Sequence, residues 1–480
     1  MPTDSSLSRR HFCRLTGSAM ALGLSGCALN PATGQRDFML VSRGGEKKIG
    51  AEEHPKVLKA FGGVYNDARI TAYVTWLGGR LAAATETPGL GFTFTVLDSP
   101  VVNAFALPGG YVYISRGLMA LAGSEAELAG VLGHELGHVV ARHGAQRASK
   151  AAVAGLLGVG RVGQALGGLY LRGFSRDQEL EADRLGVRYL KRAGYDPGAV
   201  SSFLAKMQAN GRLQAKIVGL PPGEVDEFDI MSTHPRTARR VRQAIAQAGA
   251  AAGQGVLERQ SYLSRIDNMM YGDSPGQGFV RGRAFLHPGL RLGFEVPEGF
   301  RLRNSPGKVG ASNPDGIVIV FDAADEPHEG AMSAYLSDVW GKHRKLTDLK
   351  SITVNGLRAA SAHTTLDTPS GRLTLRIAAI RADANHIFRF IVAATGKSGK
   401  NLDGVFTRTV YSFRRLGKAE AAAIRPWRLR VIRARPGDTA YGLGRRMPFS
   451  DFQTERFEVL NGLFDNRVLA AGTRVKLVSE

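Results

Sequence analysis

The sequence predicts an α+β protein of several domains. Helical periodicity dominates the first half of the chain, alternation of apolar and polar residues dominates 254–417, and a strand–helix–helix–strand order follows at 426–480. The chain has 480 residues, more than one ordinary domain, and its 44% hydrophobic content is sufficient for buried cores. We therefore predict a mainly helical domain at 45–253, an α+β domain at 254–417 and a small βααβ module at 426–480.

The first 26 residues have the pattern of an export signal. An arginine pair at 9–10 precedes a short apolar run, as in twin-arginine signals; a general secretory signal with an incidental arginine pair is the alternative. Leu24 to Cys27 resembles a bacterial lipobox, which implies cleavage before Cys27 and lipidation of its sulfur. The residue after Cys27 is Ala28 and not an aspartate, so the resemblance favours delivery to the outer membrane. Residues 27–44 would then form a lipid-anchored tether.

Cysteine content and charge agree with an exported protein. The chain has two cysteines, Cys13 within the signal and Cys27 at its end, so we expect no disulfide in the mature protein. The formal net charge of +21 favours anionic partners such as lipid headgroups or cell-wall polymers. Nucleic acid is an unlikely partner for an exported chain that has no nucleic-acid-binding motif.

The stretch from Ser124 to Gly144 predicts one helix. Ser124 and Glu127 form a capping box, and apolar residues then recur at helical spacing. Gly144 is the predicted stop after the last turn.

His134 and His138 lie four residues apart on this helix, so both imidazoles face the same side and can bind one metal ion. Glu135 is placed to reach water rather than the metal, which completes the pattern H-E-x-x-H. The alternative is that both histidines are ordinary, partly buried polar residues. Three helical glycines, each costing about 1 kcal/mol relative to alanine, argue for close packing of a second element, and we expect that element to bring a third ligand. They are Gly130, Gly133 and Gly137.

The third ligand is predicted from a second helix that ends at Gly194. Ala141 and Gly144 occupy the positions where the metzincin pattern needs its glycine and third histidine, and His143 points away from the metal face. Glu179 can complete a His₂Glu zinc site, with Asp183 orienting a histidine. Glu181 is the rival ligand.

These residues resemble the gluzincin metallopeptidases of the HtpX and CAAX-prenyl-protease type, especially their soluble periplasmic BepA-like lipoproteins. The segments Asn103 to Gly110 and Ile114 to Leu118 resemble the family's strand and turn before the active helix. The resemblance implies that Asn103, Ala104 and Phe105 belong to an edge strand that receives the substrate backbone as an added strand. A structural hairpin is the alternative.

Two further segments are expected close to the predicted site. Thr233-His234-Pro235 with Arg240 resembles the family's final motif, so His234 is a candidate to stabilise the oxyanion or to occupy the open metal position at rest, and Arg240 to pair with a carboxylate of the site. The apolar, glycine-rich stretch from Lys150 to Leu171 is interrupted by Arg161, which argues against a membrane span. We interpret it as a lid or a membrane-facing flap.

The remaining chain supplies no second catalytic cluster. The domain at 254–417 contains scattered histidines that we interpret as structural or surface residues. The order from Leu429 to Leu477 resembles a LysM module, whose family role is binding N-acetylglucosamine-containing glycans such as peptidoglycan. Gly442 and Gly444 weaken its first helix, so a purely structural role stays open.

The sequence therefore predicts a periplasmic, lipid-anchored zinc endopeptidase. One Zn²⁺ per chain is expected, and the resemblance implies unfolded or misassembled envelope proteins as substrates. Two alternatives stay open at this point. One is an envelope assembly factor or chaperone built on a dormant peptidase scaffold, and the other is a cell-wall hydrolase.

Overall fold

The computed structural model describes residues 27–156, 173–219, 246, 252–369, 371–395, 401–464 and 469–480. The predicted export signal therefore lies outside the described residues. The first described element is a hairpin of β1 (Cys27–Leu29) and β2 (Arg36–Phe38), paired antiparallel. We call residues 27–38 the N-terminal hairpin.

Two helices and a small sheet follow the hairpin. The helices are α1 (Arg43–Ala60) and α2 (Ala68–Ala83), each opened by a side chain that accepts a backbone N–H of the first turn: Ser42 for α1 and Asp67 for α2. The strands are β3 (Thr93–Leu97), β4 (Ala104–Leu107) and β5 (Tyr111–Ser115). In this sheet β5 lies in the centre, parallel to β3 and antiparallel to β4, so β4 is an edge strand.

The predicted active helix is present but ends earlier than expected. The short helix α3 (Arg116–Leu121) leads into α4 (Glu125–Val140), which Ser124 caps by accepting the backbone N–H of Glu127. The prediction that Gly144 stops this helix is wrong, because Gly144 lies in the first turn of α5 (His143–Leu156). A β-carbon at Gly144 would come 2.9 Å from Pro108 Cγ, so this glycine serves close packing against the β4–β5 turn.

Three more helices complete the helical part. They are α6 (Arg176–Arg192), α7 (Gly198–Val218) and α8 (Arg259–Ile266). Ser175 and Gln178 form a full capping box at the start of α6. The long helix α4 is buried along nearly its whole length, since α2, α6 and α7 all pack against it.

A strand-rich region follows β6 (Met270–Tyr271). Its first six strands are short: β7 (Phe279–Arg281), β8 (Ala284–His287), β9 (Leu292–Glu295), β10 (Arg301–Ser305), β11 (Lys308–Ser312) and β12 (Val318–Ala323). A helical segment comes next, consisting of α9 (Met332–Ala334) continued by a π-helical turn at Tyr335–Trp340.

Four longer strands and two helices end this region. The strands are β13 (Thr347–Val354), β14 (Leu357–Thr368), β15 (Gly371–Arg381) and β16 (Ile387–Thr395). They are followed by α10 (Leu402–Val410), the short strand β17 (Arg414–Arg415) and α11 (Lys418–Ala423). An antiparallel seven-stranded sheet has the order β10-β11-β12-β16-β15-β14-β13, beside a four-stranded sheet β17-β9-β8-β7. We call residues 272–416 the accessory region.

The chain ends in the strand–helix–helix–strand order expected from the sequence. The elements are β18 (Trp427–Arg433), α12 (Ala440–Gly444), α13 (Gln453–Asn461) and β19 (Arg474–Ser479), and we call residues 427–479 the C-terminal unit. It pairs with β6 through β18, at Trp427↔Tyr271 and Arg428↔Met270.

The hydrophobic core does not follow the domain limits drawn from the sequence. Leu429, Phe457 and Leu477 of the C-terminal unit share one buried cluster with Leu128 and Leu132 of α4. Helix α8, predicted as part of the accessory domain, contributes to the same cluster. The accessory region has buried clusters of its own. Within the described part of the chain, no helix combines the length and apolar character needed to cross a bilayer.

Candidate metal centre

Helix α4 places two imidazoles side by side. His134 and His138 are one helical turn apart, and their Nε2 atoms lie 3.1 Å from each other. His138 is almost fully buried, whereas 15% of the His134 side chain is exposed. The pair therefore opens towards solvent on the side of His134.

Helix α6 brings a carboxylate to the same point. Glu179 lies 3.6 Å from Nε2 of His134 and 3.6 Å from Nε2 of His138, through its two different oxygens. Zinc bonds of about 2.0–2.2 Å in a tetrahedral arrangement separate two ligand atoms by roughly 3.3–3.6 Å. The three side chains form a metal-binding group by donor type and spacing. The residues therefore fit a zinc ion that leaves one coordination position open.

The close approach of α4 and α6 depends on glycines, as the sequence predicted. A β-carbon at Gly133 would lie 3.2 Å from the carbonyl oxygen of Gly186, and one at Gly137 would lie 3.1 Å from that of Ala182. A β-carbon at Gly186 would lie 3.0 Å from the backbone nitrogen of His134. Small residues on both helices thus set the distance between the histidines and Glu179.

Each histidine has a hydrogen-bonding partner behind it. Asp183 lies one turn after Glu179 on α6, and its Oδ1 is 3.0 Å from Nδ1 of His134. Nδ1 of His138 lies 2.8 Å from Nδ1 of His143, which is fully buried at the start of α5. These contacts fix the orientation of both rings.

Glu181, the rival ligand, has a different place in the structure. Its Oε2 lies 3.4 Å from Nε2 of His143, and its Oε1 accepts a hydrogen bond of 2.9 Å from Asn30. Burial raises the pKa of Glu181, but the hydrogen bonds from His143 and Asn30 outweigh it and hold the pKa below its ordinary 4.5. Glu181 therefore supports His143 instead of facing the metal position.

Glu135 follows His134 in the same buried turn of α4 and has no solvent exposure. A carboxylate next to a metal ligand is suited to proton transfer, because it can reach a water molecule held at the metal position.

Phe174 is a site residue that the sequence did not indicate. Its ring stacks on that of His138 with centroids 4.0 Å apart and an interplanar angle of 19°. Arg147 belongs to α5, and its guanidinium lies 4.1 Å from the centre of the Phe174 ring. The Phe174 ring therefore covers one face of the His138 ring.

A pocket joins the metal centre to the edge strand β4. It is lined by His138, Phe174 and Arg142 and by Ala106 to Gly109. Nε of Arg142 lies 3.2 Å from Glu46 of α1 in a buried ion pair. Burial raises the pKa of Glu46 despite this partner.

The predicted substrate strand occupies this edge. Asn103 precedes β4, and its carbonyl oxygen accepts the backbone N–H of Ser115. Ala104 and Phe105 belong to β4, and the Phe105 ring is buried against Tyr113 with centroids 4.9 Å apart. His234 and Arg240, and most of the predicted lid from Lys150 to Leu171, lie outside the described residues.

Comparison with known proteins agrees with this geometry. Residues 68–248 match the profile described as peptidase family M48. The beta-barrel assembly-enhancing protease of Yersinia pestis is 31% identical over 217 residues, which are 41% of this chain and 43% of that protein. The protein of the same name in Escherichia coli K12 is 29% identical over 287 residues, 54% of this chain and 57% of its own.

A eukaryotic relative is similar over a shorter range. The mitochondrial metalloendopeptidase OMA1 of Arabidopsis thaliana is 35% identical over 192 residues, which are 38% of this chain and 37% of that protein. The chain thus spans about half of the length of these relatives, or less.

Proposed function

We propose that this chain, whose residues 68–248 form a metallopeptidase region of family M48, is a zinc-dependent endopeptidase of the bacterial cell envelope. One observation carries the proposal. His134, His138 and Glu179 come together with zinc-ligand spacing beside the buried carboxylate of Glu135. The beta-barrel assembly-enhancing proteases among its relatives support a location in the envelope.

Zinc held by His134, His138 and Glu179 would polarise the scissile carbonyl and lower the pKa of water towards about 7. Glu135 accepts the proton of the attacking water and later donates it to the leaving amine. Asp183 holds the His134 ring, so the ligand set does not have to reorganise during turnover. His234 is proposed to stabilise the oxyanion or to fill the open metal position at rest, with Arg240 pairing a carboxylate of the site.

The substrate is proposed to bind as an added strand along β4. The outer position of β4 among the described strands of its sheet, and the pocket lined by both β4 and His138, support this mode. Binding through main-chain hydrogen bonds requires an extended backbone and tolerates many sequences. Unfolded or misassembled envelope proteins meet that requirement, so we propose them as substrates.

The remaining proposals concern attachment and partners. Lipidation of Cys27 would anchor the protein to the outer membrane. The strand–helix–helix–strand order of the C-terminal unit supports a LysM-like module, with peptidoglycan as its partner. Its place in the peptidase core supports a structural role as well.

The first test compares the purified protein with its Glu135→Gln variant. We expect one bound zinc per chain in both proteins and cleavage of an unfolded protein such as casein only by the parent, because the amide cannot accept the proton. Zinc in both without cleavage by either would favour a chaperone on a dormant scaffold. Equal cleavage rates for folded and unfolded forms of one envelope protein would contradict a role in quality control.

A further inference from the structure

We propose that the N-terminal hairpin positions the metal ligand His138, through a relay that runs from Asn30 to Glu181 to His143. The hairpin thereby contributes to how tightly the site holds zinc. This inference rests on the metal site of the proposed function, and it adds three positioning residues that do not touch the metal position.

The direction of the hydrogen bonds follows from the ligand role of His138. Its Nε2 faces Glu179 and the metal position, so its hydrogen is on Nδ1. His143 Nδ1, 2.8 Å away, must accept that hydrogen, which leaves the His143 hydrogen on Nε2. This Nε2 lies 3.4 Å from Glu181, whose carboxylate accepts it. One proton arrangement satisfies every partner in the relay.

Asn30 holds the far end of the relay. It is 1% exposed, and its Nδ2 donates to Glu181 Oε1 at 2.9 Å and to Asp37 Oδ2 at 3.0 Å. Its Oδ1 accepts the backbone N–H of Ala32 at 3.0 Å, which fixes the amide so that its donors face the two carboxylates. An aspartate in its place would set three carboxylates against one another.

The N-terminal hairpin is hydrogen-bonded to α5, the helix of His143, and through α5 to α6, the helix of Glu181. Gln146 of α5 donates to Asp37 at 2.9 Å, and Gln178 of α6 donates to Gln146 at 2.9 Å. The backbone N–H of Leu40, just past the hairpin, donates to Ser149 of α5 at 2.8 Å. The position of Asn30 is therefore tied to the helices of His143 and Glu181 by contacts on both sides.

The two metal histidines thus depend on different parts of the chain. Asp183, which supports His134, lies on the same helix as the ligand Glu179. The support of His138 ends on Asn30, 151 residues from Glu181 in the sequence. Asn30 lies three residues after Cys27, so the segment that follows the proposed anchor is also a support of the metal ligand.

The experiment measures zinc binding by the full-length protein and by Glu181→Gln and Asn30→Asp variants. A glutamine cannot accept from both His143 and Asn30, and an aspartate replaces the donor of Asn30 by a charged acceptor. The control is Gln35→Glu, which adds the same charge at an exposed position of the same hairpin. Zinc affinity is measured by competition with a chromophoric chelator, and the visible spectrum of the cobalt-substituted protein reports the ligand geometry.

We expect zinc affinity to fall in Glu181→Gln, by at most the roughly 10- to 100-fold usual when the direct hydrogen-bonding partner of a ligand is changed. Glu181 acts one step further out, because it holds His143, the partner of His138. Asn30→Asp should also lower the zinc affinity, and both variants should change the visible spectrum of the cobalt-substituted protein. Gln35→Glu should match the parent in both measurements. Parent-like affinity and spectra in Glu181→Gln and Asn30→Asp, beside a parent that binds zinc, would overturn this inference alone. A parent that binds no zinc would overturn the proposed function and this inference with it.

Discussion

Single glycines determine whether the metal ligands meet. The contact between α4 and α6 has backbone facing backbone at Gly133 and Gly186, with no side chain between them. Added volume there would separate the histidines from Glu179, whose oxygens lie 3.6 Å from their nitrogens.

We predict that Gly186→Ala lowers the free energy of unfolding by about 1–3 kcal/mol, the usual cost of overpacking, and weakens zinc binding. The new β-carbon would lie 3.0 Å from the backbone nitrogen of His134. Chemical denaturation of the metal-free protein measures the first effect and chelator competition the second.

The matched control is Gly211→Ala in the interior of α7. A β-carbon at Gly211 would meet nothing within 4 Å, so this change should stabilise the protein by about 0.5–1 kcal/mol through helix propensity. Equal effects of the two substitutions would contradict the packing argument.

Among single residues, the metal ligands and Asp183, the partner of His134, were predictable, whereas the partners of His138 were not. His134 and His138 follow from spacing on one helix, and the preference for Glu179 over Glu181 follows from helical geometry with Asp183. The sequence predicts that His143 points away from the metal face, and this prediction misses its contact with His138. The relay could not be found from the sequence, because nothing local relates Asn30 to a carboxylate 151 residues away.

The last turns of helix α6, at the end opposite to the ligand Glu179, are held by Glu86. Glu86, in the connection after α2, lies 3.0 Å from Arg188 and 2.9 Å from Arg192, and it accepts a hydrogen bond of 2.6 Å from Tyr189. Partial burial raises the pKa of Glu86, but the hydrogen bonds from Tyr189 and Arg188, with Arg192 beside them, outweigh it and hold the pKa below its ordinary 4.5.

We predict that Glu86→Gln lowers the free energy of unfolding at pH 7 by about 1–3 kcal/mol, since charged hydrogen bonds are lost. The folded state has the lower pKa, so the contribution of Glu86 is complete above 4.5 and is lost as the pH falls through the folded-state pKa. The parent and the variant should therefore converge in acid. Urea denaturation from pH 7 downwards measures this.

Glu52→Gln is the control for this prediction. Glu52 is exposed on α1, with Lys48 4.0 Å away, and such surface pairs contribute about 0–1 kcal/mol. A difference between Glu86→Gln and the parent that stays constant with pH would show that the charge of Glu86 is not the cause.

Helices and strands were predicted correctly where the pattern of apolar residues was long and periodic. Helix α4 lies where helical spacing predicts a helix. Strands β15 and β16 lie in the part of the chain where alternation predicts strands. The predicted end of a helix was wrong where tertiary packing determines it. Gly144 packs against Pro108 instead of ending helix α4. The π-helical turn at Tyr335–Trp340 has no local signature that separates it from a helix.

The largest departure from the sequence-based division concerns the whole molecule. The C-terminal unit completes the core that holds the metal site. Lys476 of β19 is fully buried, and its Nζ donates to the carbonyl oxygens of Ala120, Leu121 and Ala122 at 2.6, 3.2 and 2.7 Å. Those carbonyls end α3, where they lack intrahelical donors, and burial lowers the pKa of Lys476 well below its ordinary 10.5. Alternation could predict β19 as a strand, but it could not show which core receives it.

We predict that Lys476→Met lowers the free energy of unfolding by about 1–3 kcal/mol, because three buried carbonyls lose their donor. Lys308→Met, at an exposed position of β11, should change it by less than about 0.5 kcal/mol. Denaturation followed by circular dichroism measures both variants. A parent-like Lys476→Met would mean that the C-terminal unit is only loosely attached.

The shared core also has a consequence for the order of events during synthesis. The metal ligands have been translated by residue 179, yet β19 enters the core of α4 only after residue 479 has left the ribosome. The nascent chain therefore carries a complete set of ligands for some 300 residues without a complete hydrophobic core around them. The hydrophobic core around the metal ligands can therefore be completed only once the C-terminal unit has been synthesised.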